Sequence, residues 1–218
     1  LLIYWGILYL FGGSYPYGLP GNVTIPFDRA ILGENHLYRG FGIPFDPEGI
    51  LSSLPSVVTV LIGYLTGMMI QETARDRVPV KLSTFGLAFT IAGYLWGLVL
   101  PINKPLWTSS YVLYTAGMAS VLFALLIYII DLKGYKKWSL LFSVFGMNPL
   151  FLFILSVFWG KTLRLVICIP NGEGNIVSGS TWLYQNIFVP IAGSLNGSLA
   201  YALAHIMFFW LIGYVLYK

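Results

Sequence analysis

Eight side chains suited to binding a polar ligand fall within 21 positions: Asp28, Arg29, Glu34, Asn35, His36, Arg39, Asp46 and Glu48. Tyr38, Phe41 and Phe45 are interleaved with them. Carboxylates, guanidinium groups and an imidazole set among rings can hydrogen-bond a sugar or cradle an anion, with an aromatic face for it to stack on. His36 is the residue type of a general base, because imidazole exchanges protons readily at neutral pH. The plainer alternative is a solvated loop histidine. Asp28 and Arg29 would equally serve as salt bridges that tie the segment to the rest of the chain. Asp46-Pro47-Glu48 predicts the start of a helix, with Asp at the cap, Pro at the first helical position and an acid in the first turn.

Four further polar groups stand in apolar surroundings. Asn103 and Lys104 occupy the turn Pro-Ile-Asn-Lys-Pro-Leu (Pro101 to Leu106), either as ligand contacts or as turn formers between helices. Asn148 precedes Pro149, which must interrupt a helix and free a carbonyl; Asn148 then lines a cavity or satisfies the break. His205 lies within an apolar run, where a packed, neutral imidazole with one hydrogen-bond partner is the expected state. The chain has no phosphate loop, zinc-protease helix or nucleophile elbow. Its single cysteine, Cys168, has no intrachain partner and no ligand neighbours, so no metal site is expected.

The elements that must position these groups are membrane spans. The 218 residues are 57% hydrophobic and only 9% charged, with a mean hydropathy of +0.79. A soluble domain carries about 25% charged residues. Apolar runs predict five full spans, Leu51 to Ile70, Leu82 to Leu100, Trp107 to Ile130, Trp138 to Phe158 and Leu199 to Tyr217, each near the ~20 residues a crossing helix needs. Leu1 to Phe11 reads as a sixth, truncated N-terminal span. No charged residue lies in these runs. Backbone groups in lipid must be satisfied internally, so the expected fold is an all-α polytopic helical bundle, residues 1–218 forming one transmembrane domain.

Long loops at 12–50 and 159–198 and the turn at Pro101 to Leu106 alternate with short basic loops, Gln71 to Lys81 and Asp131 to Lys137. The basic residues of the short loops and Lys218 place these and the C-terminus on the cytoplasmic side, and the long loops outside. Within loop 159–198, Thr181 to Gly193 is apolar but short, and predicts an interfacial or re-entrant helix. Gly63-Tyr-Leu-Thr-Gly67 and Gly93-Tyr-Leu-Trp-Gly97 have the GxxxG spacing of close helix contacts. A net charge of +4 is too small to suggest nucleic acid as a partner. The lipid bilayer is the partner that composition demands.

The run FDRAILGENHLYRGFGIPFDPEGILSSLPSVVTVLIGYLTG (Phe27 to Gly67), with PINKPLWTSSYVLYTAGMA (Pro101 to Ala119), GMNPLFLF (Gly146 to Phe153), LYQNIFVP and WLIGYVLYK, resembles the heparan-alpha-glucosaminide N-acetyltransferase family. It is similar above all to bacterial relatives, some of them catalogued as N-acetylglucosamine-related transporters. The resemblance implies a polytopic enzyme, here of a bacterial inner membrane, that moves acetyl from acetyl-CoA to the amino group of a glucosamine-type sugar or glycan across the bilayer. An amino-sugar transporter is the alternative, and a homo-oligomer is left open. In that family the histidine credited with the base lies in a segment with wording like HAxWNG, which these residues lack. His36 does not match it, so the expectation is a C-terminal part of a longer protein, inactive alone, whose catalytic residue is none of those present.

Overall fold

The computed structural model describes residues 1–170 and 175–218. Residues 171–174 of the loop 159–198 lie outside the described residues. The chain divides into two compact units, Leu1–Tyr135 and Lys136–Lys218.

Unit 1 contains α1 (Leu2–Phe11), α2 (Thr24–Leu32), α3 (Ser53–Glu72), α4 (Val78–Gly97) and α5 (Ser109–Leu126), the last continuing as a π-helical stretch, Ile127–Leu132. Unit 2 contains α6 (Leu140–Met147), α7 (Pro149–Lys161) with a π-helical extension Thr162–Val166, a two-stranded antiparallel hairpin of β1 (Cys168–Pro170) and β2 (Ile176–Ser178), then α8 (Gly179–Leu183), a π-helical stretch Tyr184–Phe188, and α9 (Val189–Tyr217). Among the described residues, five helical segments are long and apolar enough to cross a bilayer: Ser53–Glu72, Val78–Gly97, Ser109–Leu132, Pro149–Val166 and Gly179–Tyr217. Leu2–Phe11 is the shorter apolar helix. The chain is an integral membrane protein, an all-α bundle of five full spans and a short first one. Its outward-facing leucines, valines and phenylalanines, such as Val60 at 71% exposure, are the surface that lipid covers.

Helix ends overrun the apolar runs. Lys81 lies in the opening turns of α4, Glu72 ends α3, and Asp131 sits in the π-helical stretch after α5. A helix backbone gains a hydrogen bond per added residue wherever it continues, so it stops at the loop and not at the hydrocarbon edge. Lys81 is exposed, as a side chain reaching for the headgroup layer must be.

Within unit 1 the closest packing joins α4 to α5 through glycines. A Cβ at Gly86 would lie 2.8 Å from Gly117 O, one at Gly93 would collide with Tyr114 N, and one at Gly117 would collide with Thr90 N. Of the two GxxxG segments, only the second is used in this way. A Cβ at Gly63 or Gly67 would meet nothing within 4 Å, and Gly63 lines an open hollow between α3 and α5 instead of a close helix contact. Tyr4, Leu8, Leu51 and Leu100 form one buried cluster, and Val78, Leu82, Ala124 and Ile127 form another.

In unit 2, Asn148 leaves the helical region (φ −132°, ψ 47°) and separates α6 from α7, which opens on Pro149. The missing N–H of proline belongs at a first helical turn, so the break falls one residue before it. The stretch Thr181 to Gly193 is helical and runs on into α9. Pro190 sits in the first turn of α9, and the interruption comes at Gly193, whose φ of 76° and ψ of 175° favour glycine. Gly213 lets α9 approach α6 and α7, since a Cβ there would sit 3.0 Å from Val144 Cγ1 and 3.1 Å from Leu152 Cδ1.

Candidate functional site

The polar groups of residues 12–50 and the Pro101 to Leu106 turn meet at one end of unit 1. Tyr4 donates its hydroxyl to Leu106 O at 2.5 Å, and Asn103 Nδ2 reaches Tyr17 O at 3.5 Å. Arg75 Nη2 meets Asp131 Oδ1 at 3.1 Å at the far end of the helices, joining the two basic loops. That pairing agrees with the alternation of loops read from the sequence. The partners are largely exposed, so Arg75→Gln is expected to cost less than about 1 kcal/mol in denaturant melts, shrinking further in salt.

Asp28 is 1% exposed and accepts from Leu51 N at 3.3 Å, with Ile50 N–H as a second donor. Its other oxygen fills the space a side chain at residue 49 would take, so Gly49 is required by close approach. Asp28 thus fastens α2 to the chain entering α3. Burial raises its pKa above the usual aspartate value; the two N–H groups pull it down less, and Asp46 adds to the rise.

The helix expected at Pro47 opens at Ser53. Asp46 Oδ1 accepts from Glu48 N at 2.9 Å, and Asp46 O accepts from Gly49 N at 3.2 Å, so Asp46 closes a turn. The N–H groups of Ile50 and Leu51 serve Asp28, a partner 23 residues from Leu51, and the helical ladder starts only beyond them.

Arg29 and Glu34 form a loose ion pair at 3.6 Å, both about half exposed. His36 Nδ1 lies 2.7 Å from Leu32 O, on the exposed side of the segment. Asn35, Arg39 and Glu48 are exposed as well. Phe45 is buried and anchors a run of edge-on rings, Phe41 to Phe45 at 5.3 Å and Tyr38 to Phe41 at 6.1 Å, with Tyr38 and Phe41 facing out. The eight candidates therefore separate. Asp28, Asp46 and the Arg29–Glu34 pair have structural partners, whereas Asn35, Arg39 and Glu48 are exposed, as is His36, whose Nδ1 is held at Leu32 O.

Asn103 Oδ1 accepts from Leu106 N at 3.3 Å and so shapes its own turn, while Lys104 is exposed. The turn is held by three buried hydroxyl residues not singled out in the sequence. Thr108 donates to Pro101 O at 2.9 Å and accepts from Asn103 N at 3.0 Å; Ser110 donates to Leu100 O at 2.7 Å; Ser109 donates to Leu1 O at 2.8 Å. The signal was the Thr-Ser-Ser run directly after a proline turn, where hydroxyls can satisfy carbonyls left over by the preceding helix. Thr108→Ala is expected to cost about 1–3 kcal/mol, read from the unfolding midpoint of the detergent-solubilised protein. Trp107 donates its indole N–H to Thr59 Oγ1 at 3.2 Å and links this turn to α3.

In unit 2, Asn148 is half-buried and has no side-chain hydrogen bond among the described residues. His205 Nδ1 lies 2.9 Å from Tyr201 O, the single partner expected of a packed histidine. Cys168 is free and exposed, and no group of three metal-ligating side chains comes together among the described residues.

A polytopic helical membrane protein with a polar, ring-bearing loop at one end is the class these features define. By sequence it has a distant family relationship to heparan-alpha-glucosaminide N-acetyltransferase: it is 29% identical to the enzyme of Mus musculus over 160 residues and 28% identical to that of Homo sapiens over 159. Each match covers 65% of this chain and 24% of the relative, so the match takes in about a quarter of the length of these curated relatives. No family model matches the chain.

Proposed function

We propose that this chain is part of an integral-membrane acyltransferase that moves acetyl from acetyl-CoA to the amino group of a glucosamine-type sugar on the opposite side of the bilayer. The observation that carries this reading is the sequence shared with two N-acetyltransferases. In such a transfer the amine nitrogen attacks the thioester carbonyl, the carbon–sulfur bond breaks, and the amine proton leaves to a base. The reaction needs that base and donors for the charge developing on the carbonyl oxygen.

In this reading the loop end of unit 1 faces outward and contributes acceptor contacts. Tyr38 and Phe41 offer stacking faces, and Asn35, His36, Arg39 and Glu48 offer hydrogen bonds. His36 is assigned to binding and not to the base, because it does not match the histidine segment to which the family resemblance assigns that work. The basic loops face the cytoplasm and the donor. The 218 residues alone transfer no acetyl.

The full protein, incubated in detergent with labelled acetyl-CoA and glucosamine, is expected to yield labelled N-acetylglucosamine. Absence of transfer across a broad amino-sugar panel contradicts the reading. Arg39→Ala is expected to raise the KM for the sugar about tenfold, the cost of one charge-assisted hydrogen bond, and to leave the melting temperature unchanged.

The helix break at Asn148 favours a second reading, an amino-sugar transporter, because broken helices in membranes border polar pathways. Uptake of amino sugar into proteoliposomes without acetyl-CoA, abolished by Asn148→Leu, is the result that reading predicts.

A further inference from the structure

At the basic end of unit 1 two hollows adjoin. One, of about 560 Å³, is rimmed by the charged side chains of Glu72, Asp76, Arg77 and Lys81; the other, of about 480 Å³, is an apolar groove between α4 and α5. Val80 lines both, so they form one head-and-tail channel along the outside of the α4–α5 pair. The groove extends from Val80 to Leu87 along α4, roughly 10 Å at 1.5 Å per residue, and is walled on the α5 side by Val121 and Tyr128. Lys133 Nζ stands 5.4 Å over the Tyr128 ring, bringing a further cation to the mouth.

We propose that this channel binds one aminophospholipid, its phosphate at Arg77 and Lys81, its ammonium at Glu72 and Asp76, and part of one acyl chain in the groove. Charge selects the headgroup. Arg75 is occupied by Asp131, so the hollow presents two cations and two carboxylates. A purely anionic headgroup would leave both carboxylates facing like charge, and a quaternary choline could donate no hydrogen bond to them. Depth agrees, since α4 opens at Val78 and Lys81 follows one turn later, at the level where lysine side chains reach the headgroups. The shape does too, for an apolar trough only matters to a ligand that carries a chain.

The test uses the intact protein in phosphatidylcholine vesicles containing equal amounts of phosphatidylethanolamine and phosphatidylglycerol, with retained lipid counted by native mass spectrometry after detergent extraction. Phosphatidylethanolamine should be retained over both others. Arg77→Gln and Lys81→Gln should each reduce retention about fivefold, the value of one basic side chain at a lipid surface. Leu87→Trp should reduce it by filling the trough, and the double variant Glu72→Gln, Asp76→Asn should shift preference to phosphatidylglycerol. All five positions are exposed, so folding is not at stake. Equal or greater retention of phosphatidylglycerol or phosphatidylcholine by the unaltered protein, or retention indifferent to the variants, overturns the proposal. Displacement of the lipid by added coenzyme A also overturns it, by assigning the hollow to nucleotide phosphates. None of these readouts depends on acetyl transfer.

Discussion

A Gly117→Leu protein is expected to lose the packing of α4 against α5 and to be destabilised by about 3 kcal/mol. The added Cβ would fall on Thr90 N and close to Gly86 O, both backbone atoms that cannot rotate aside. Gly86 and Gly93 lie seven residues apart, two turns along the same face of α4, so the strain spreads along the helix contact. Gly63→Leu is the matched control, because that Cβ meets nothing within 4 Å. It should change stability by less than about 0.5 kcal/mol. Denaturant unfolding of both variants in one detergent checks the pair. Equal effects at the two positions would contradict the packing described for unit 1.

Asp28→Ala is expected to cost about 2–3 kcal/mol, because it leaves the N–H groups of Leu51 and Ile50 without a buried acceptor. Asp28→Asn should cost less, since an amide oxygen can still accept from Leu51. The pH dependence distinguishes the two further. Burial raises the folded-state pKa of Asp28 above its ordinary 3.8, so between those two values the folded chain holds a proton that the unfolded chain has released. The resulting contribution is fully present below 3.8 and is lost as pH rises through the raised folded value. The melting temperature of the unaltered protein should therefore fall across that window relative to Asp28→Asn, which carries no titrating group there. A parallel pH profile for the two proteins would contradict a buried, desolvated carboxylate at this position.

Spans were legible because bilayer thickness writes itself into the length of apolar runs: four of the five long runs each fall in one helical segment, whereas Trp138 to Phe158 is divided at Asn148 into α6 and α7, and the crossing segment is Pro149–Val166. The start of α3 was not legible. Asp46-Pro47-Glu48 carries every local signal of a helix opening, but the donors that would begin the ladder are claimed by Asp28, and a contact across 23 residues leaves no local trace. The same limit applies to the glycines. GxxxG is a spacing within one helix, whereas the fit of Gly117 against Thr90 and Gly86 depends on where a second helix crosses. Among the candidate ligand groups, residue type alone could not separate Asp28, sequestered at 1% exposure, from Arg39, which is open to solvent. The hydroxyls of Thr108, Ser109 and Ser110 were overlooked for a related reason: their importance comes from carbonyls brought to them by Leu1, Leu100 and Pro101.

The central claim, acetyl transfer across a membrane, is tested most directly in proteoliposomes of the full protein with glucosamine inside and labelled acetyl-CoA outside, the basic loops oriented outward. Labelled N-acetylglucosamine should accumulate inside, with no labelled product when acetyl-CoA is omitted. Movement of unmodified glucosamine across the membrane without acetyl-CoA, and no labelled product with it, would contradict the acyltransferase account.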